Sequence, residues 1–142
     1  MNPSRAGARI RPTPLNLSTF VVLGVLLVAP GCALGRLATW IDWRVLVGGA
    51  LALSFFAYLA YWDDKRRAEA GEWRTPESTL HLAALLGGWP GAFLGQRIFR
   101  HKTSKVSFLI VFWITVFAYE FLAVDFLLDW RLSGAALHAL KA

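Results

Sequence analysis

The sequence predicts an all-α fold: a polytopic helical membrane protein with three transmembrane helices plus a broken re-entrant helical hairpin between the second and the third. Three observations predict it. Of 142 residues, 56% are hydrophobic and only 17% charged, with a mean hydropathy of +0.48, which is too apolar for a water-soluble domain of this length. Long runs nearly free of charge match the roughly 30 Å of a bilayer's hydrocarbon core. One further apolar run is interrupted at its centre by glycine and proline. The net charge of +6 is compatible with nucleic acid, with anionic lipid or with the orientation signal of a membrane protein, and the last needs the fewest assumptions. Cys32 is the sole cysteine, so an intrachain disulfide and a cysteine-rich metal site are excluded. Helix packing has to hold the fold.

Residues 1–16 read as a basic cytoplasmic tail carrying Arg5, Arg9 and Arg11, followed by a single membrane domain at 17–128 and a C-terminal tail at 129–142. The first span, 17–34, contains no charge. It includes Ala29-Pro30-Gly31-Cys32, which has a weak likeness to a lipoprotein cleavage site but lacks the usual leucine three residues before the cysteine, so a retained helix is expected. The second span, 45–62, ends in Tyr58, Tyr61 and Trp62 and meets Asp63, Asp64, Lys65, Arg66 and Arg67 at once, an aromatic belt followed by an anchoring charge run. The last span, 107–128, is interrupted only by Glu120 and Asp125. An ionisable side chain inside a span is a functional-site hypothesis by default, and Glu120 takes that place here.

The third apolar stretch runs through a hairpin at 76–99 whose centre reads Gly87-Gly88-Trp89-Pro90-Gly91. Glycine breaks a helix through backbone entropy and proline through its missing donor, leaving halves of about 15 Å, half a membrane each. Thr75 is expected as the helix cap, Pro76 at the first helical position and Glu77 as an acid complementing the dipole. Basic residues flank both sides: Lys65, Arg66, Arg67 and Arg74 before, Arg97, Arg100, His101, Lys102 and Lys105 after. A full crossing would put one cluster outside, against the positive-inside bias. The hairpin keeps both in the cytoplasm, together with the N-terminus, and puts the C-terminus outside. The alternative is four transmembrane helices, with Gly87, Gly91 and Gly95 forming a packing seam along a kinked span.

The ordered set Asp64-Lys65, Gly71, Trp73-Arg74, Pro76-Glu77, Leu80, Leu86-Gly87-Gly88, Gly91, Gly95, Arg100-His101-Lys102-Thr103, Lys105 and Phe108 resembles DUF1294, a domain-of-unknown-function family of small bacterial membrane proteins. Some members carry a cold-shock, nucleic-acid-binding domain ahead of the membrane part, for which the residues before Leu17 are too few. The likeness covers roughly half the chain. It implies a bacterial inner-membrane, multi-pass protein and no particular reaction, so the polar residues carry over only as motif positions.

With the hairpin in place, Lys65, Arg74, Arg100, His101, Lys102, Thr103 and Lys105 converge on the cytoplasmic membrane surface. Cations near helix ends with a hydroxyl and an imidazole among them suit phosphate-like groups. The competing reading is that they fix topology and touch anionic lipid without specificity. Asp64 and Glu77 are expected as structural ion-pair partners, Glu77 with Arg74 or Lys102. Glu77 and His81 share a helix face but lack further ligands at metal spacing. No phosphate-binding Gly-Lys-Ser/Thr loop, dinucleotide fingerprint or Ser-His-Asp order is present, and no metal or cofactor is expected. The favoured function is a noncatalytic module recognising a phosphate-rich lipid, nucleotide or nucleic acid, or a cytosolic protein, with membrane lipids around it; direct nucleic-acid binding is the less favoured of these. The alternative is a homo-oligomeric channel, transporter or lipid-phosphate enzyme component.

Overall fold

The computed structural model describes residues 15–73, 75–99 and 105–141, and every regular element among them is helical, as expected. α1 (Leu17–Leu26) and α2 (Val28–Leu37) form the first apolar segment, but they are bent by 42° where the sequence predicts one continuous span. The cause is local. Pro30 has no N–H to return to the carbonyl of Leu26, and its ring crowds that carbonyl.

α3 (Trp43–Ala70) is longer than the predicted span because the charge run continues the helix. Asp63 pairs with Arg67 at 2.7 Å and Lys65 with Glu69 at 2.9 Å, both one turn apart, and such pairs support an exposed helix. Asp42 opens α3 by accepting from the N–H of Arg44 at 2.8 Å. Gly71, at φ 70°, ends it in the left-handed conformation that glycine adopts without penalty.

α4 (Glu77–Ala83) passes through a π turn (Ala84–Gly88) into α5 (Trp89–Phe99). Gly87 sits at φ 113° inside the turn, which breaks the helix where the sequence places the break. The start differs slightly from expectation. Pro76, not Thr75, is the capping residue and no side chain caps α4; the Thr75 N–H is held by the carboxylate of Asp64 at 3.0 Å. From the level of Asp64, α4 rises along α3 until Gly87 and Gly88 reach Leu53 and Ala57, the middle of α3. α5 then returns in the direction of α3: Gly91 meets Ser54, Gly95 meets Tyr61, and Phe99 packs on Tyr58 with ring centroids 5.3 Å apart. The climb from Asp64 to Leu53 is about 16 Å at 1.5 Å per residue.

α6 (Val106–Leu127) runs back past the hairpin, and α7 (Arg131–Lys141) follows a tight turn. That turn is a Schellman motif: the N–H of Trp130 donates to Asp125 O at 2.8 Å and that of Asp129 to Phe126 O at 3.2 Å. Asp129 occupies the left-handed position usually given to glycine, and Trp130 is left-handed too. The core is built from Tyr61, Leu80, Phe93, Phe108, Phe112 and Val116, all buried. The outer faces are apolar as well: Phe55, Phe56, Ile114 and Phe117 are exposed, an area far beyond what a soluble monomer presents. α3 and α6 are each long and apolar enough to cross a membrane, and the bent α1–α2 pair makes a third if counted as one span.

Beyond the hairpin tip, α2, the first half of α3 and the last turns of α6 enclose a cavity of about 550 Å³ floored by Gly87, Trp89 and Pro90.

Candidate functional site

Of the residues singled out by the sequence, Asp64, Lys65, Glu77 and Lys105 lie at the open end of the hairpin. Its base is closed by Lys105, whose Nζ donates to both carboxylate oxygens of Glu77 at 2.8 and 2.9 Å. This joins the first turn of α4 to the residue preceding α6 across 28 positions of sequence. A cationic partner for Glu77 is what the sequence predicts; Lys105 is the one displayed, whereas Arg74 and Lys102 lie outside the described residues. Arg100, His101 and Thr103 lie outside them as well.

Asp64 is the other anchor. It is fully buried on α3, where an ionised carboxylate persists only when hydrogen-bonded, and the N–H of Thr75 supplies one such bond at 3.0 Å. It thereby ties the loop after α3 to the start of α4. One turn back, Tyr61 is buried and its hydroxyl accepts from Nε2 of Gln96 at 3.2 Å, fastening α5 to α3. His81 stacks on Phe108 with ring centroids 4.2 Å apart, so the imidazole is part of the packing between α4 and α6. Glu77 and His81 are not joined by further ligands: among the described residues no group of three histidine, cysteine or acidic side chains stands close enough to hold a metal ion.

The remaining described cations at this end are already engaged. Lys65 faces Glu69, Arg66 and Arg67 face Asp63, and the Arg97 guanidinium lies over the Phe93 ring, 5.2 Å from its centroid. At this end the described cations and carboxylates alternate along α3.

The glycines serve the hairpin in two ways. Gly87 provides the break, and Pro90 withholds a donor beside it, while the carbonyl of Leu85 accepts from the Tyr119 hydroxyl at 2.6 Å. Gly88, Gly91 and Gly95 let α5 lie against α3: a Cβ on Gly91 would come within 1.6 Å of the Ser54 carbonyl oxygen. Trp89 is buried at the tip beside Tyr119, with centroids 6.5 Å apart. Glu120 is half-buried on α6 with Oε1 shielded and without a hydrogen-bond partner among the described residues.

Arg36, which sequence reasoning passed over, and Asp125, noted there only as a charge within the last span, lock the opposite end. Arg36 of α2 donates to the carbonyls of Phe126 and Leu127 at 2.8 and 3.1 Å, pairs with Asp129, and lies over the Phe126 ring at 5.1 Å. A guanidinium thus satisfies the terminal carbonyls of α6, where a cation also complements the helix dipole. Asp125, buried, accepts from the N–H groups of Leu132 and Ser133 at 2.9 and 3.4 Å and so caps α7. The spacing of Asp125 to the first turn of α7 is the only sequence signal for either.

Residues 54–108 match the model of a family described as a protein of unknown function, DUF1294. The matched segment comprises the hairpin, the part of α3 on which it packs and the first turn of α6, ending at Phe108. The chain is also similar to an uncharacterized protein, YsdA, of Bacillus subtilis (strain 168), with 47% identity over 45 residues, covering 32% of this chain and 51% of that protein. The chain therefore spans about half the length of this curated relative. No solved structure matches the chain.

Proposed function

We propose that this chain, whose residues 54–108 match the DUF1294 family model, is a noncatalytic module of the bacterial inner membrane, whose re-entrant hairpin presents a surface recognising a phosphate-rich partner at the cytoplasmic face. The observation that carries this reading is the Lys105–Glu77 contact. It joins the first turn of α4 to the residue preceding α6, which supports a reading in which the basic flanks of the hairpin share one membrane face. The positive-inside bias supports assigning that face to the cytoplasm. Lipid headgroup, nucleotide and nucleic-acid backbone share the same phosphate chemistry, and the lysines and arginines of the base suit it.

The test is a double substitution, Arg74→Gln with Lys102→Gln, in the full chain reconstituted in nanodiscs. With each surface cation contributing about 1 kcal/mol, binding of ATP or of a short single-stranded oligonucleotide should weaken about thirtyfold. The salt dependence should persist in nanodiscs made of zwitterionic lipid, which carry no anionic surface of their own. Equal binding by both proteins, with topology unchanged, would reduce these cations to topology signals.

A further inference from the structure

The hairpin fills only half of the bundle, and the other half holds the cavity of about 550 Å³, within the range of small-molecule sites. Its lining is almost wholly apolar. Ser54 and Tyr119 bring the side-chain hydroxyls to it, and the Tyr119 hydroxyl is already bonded to the Leu85 carbonyl. A buried water needs about 2–4 polar partners, which this space does not offer. Left empty, it would forfeit the dispersion contacts of every side chain around it. The lining also continues into the outer surface, since Val45, Leu86 and Leu122 line the space and are exposed. In a bilayer, that surface faces lipid.

We propose that the cavity seats one acyl chain of a membrane phospholipid. The chain enters from the leaflet opposite the hairpin base and ends on Trp89 and Pro90. Two observations identify the occupant. The tip stands at the middle of α3, so the uncovered depth is one leaflet, about 15 Å of hydrocarbon, which is what one acyl chain spans. At the far rim, beside the cavity residue Phe126, lies the Arg36–Asp129 pair, partly exposed. Its guanidinium has donors beyond the three bonds it makes, and a cation next to an anion complements the phosphate and amine of a phosphatidylethanolamine headgroup. This inference rests on the membrane-spanning fold and not on anion recognition at the opposite end.

The experiment uses the full chain in nanodiscs containing a phosphatidylethanolamine with a photoactivatable diazirine on its acyl chain, followed by peptide mapping. Adducts are expected on Ala50 and Leu122 and should fall at least fivefold in Ala50→Phe, which fills the cavity. Val47→Phe, on the exposed side of α3, should leave them unchanged. Gly49→Leu provides a second filling variant, since a Cβ at Gly49 meets nothing within 4 Å, and is used if Ala50→Phe does not fold. Native mass spectrometry should show a bound species of phospholipid mass. Adducts confined to Phe55 and Phe117, adducts indifferent to both filling variants, a bound species of fatty-acid mass, or a lipid-free dimer would each overturn the proposal. ATP binding at the hairpin base is measured in the same variants and should not change, so the two readings fail separately.

Discussion

At the scale of single residues, the close approach of α5 to α3 sets a steep order of tolerance among glycines. A methyl group at Gly91 meets backbone that cannot move aside, one at Gly95 meets the Tyr61 side chain at 2.9 Å, and one at Gly48 meets nothing within 4 Å. Overpacking of this kind costs about 1–3 kcal/mol and more where backbone must shift. Gly91→Ala should therefore lower the melting temperature in detergent most, Gly95→Ala less, and Gly48→Ala hardly at all; an equal effect of all three would refute the packing seen here. Asp129 gives a second residue-scale prediction. The hydrogen bond and charge of Arg36 hold its carboxyl below the usual range. A lowered value in the folded protein means that the contribution is complete above the ordinary carboxylate range and is lost as pH falls through the lowered value. Asp129→Asn, which keeps a residue tolerant of the left-handed turn, should lower the melting temperature at neutral pH, and the gap to the native chain should close in acid. A gap that stays constant with pH would mean that the pair contributes nothing.

At the scale of elements, what was legible in the sequence is what local chemistry decides. Gly87 and Pro90 announce the break in the hairpin because backbone freedom and a missing donor act on the residues next to them, and Pro30 breaks the first span by the same rule, although a run without charges reads as continuous. Arg36 and Asp125 were not legible as locks. Arg36 finds its partners 90 to 93 positions away, and in sequence it is one more charge between spans. Asp125 looks like an isolated acid near the end of a span until the Schellman turn folds α7 back over it. Removing that cap in Asp125→Ala should cost about 1 kcal/mol and should appear as faster amide exchange at Leu132 and Ser133, with Asp125→Asn closer to the native chain. Unchanged exchange would show that the turn alone orders α7. The hairpin base allows a similar test by charge exchange. Glu77→Lys or Lys105→Glu alone should lower stability by about 0.2–1 kcal/mol, as for partly exposed pairs, and the double exchange should recover it; double-variant stability equal to the sum of the two losses would argue that the contact does not hold the base together.

At the scale of the whole molecule, the proposed phosphate-recognising surface and the proposed lipid site depend on the same arrangement, a hairpin that turns back at the middle of α3 and leaves one half of the bundle open. Ser78 in α4 and Ser107 in α6 are both exposed and flank the Glu77–Lys105 contact, so the proposed re-entrant topology puts them on one side of the membrane. Cys32 is itself exposed and has to be replaced by serine first. In that background, Ser78→Cys and Ser107→Cys should both react with a membrane-impermeant maleimide in inside-out vesicles and be protected in intact spheroplasts, while Ala136→Cys in α7 should show the opposite pattern. Reaction of Ser78→Cys and Ser107→Cys from opposite sides would require residues 77–99 to cross completely, separating the two basic flanks and closing the space assigned to the acyl chain. Reaction of both from outside would keep the hairpin and the cavity but turn the molecule over, and the phosphate-rich partner would then have to be sought outside the cell.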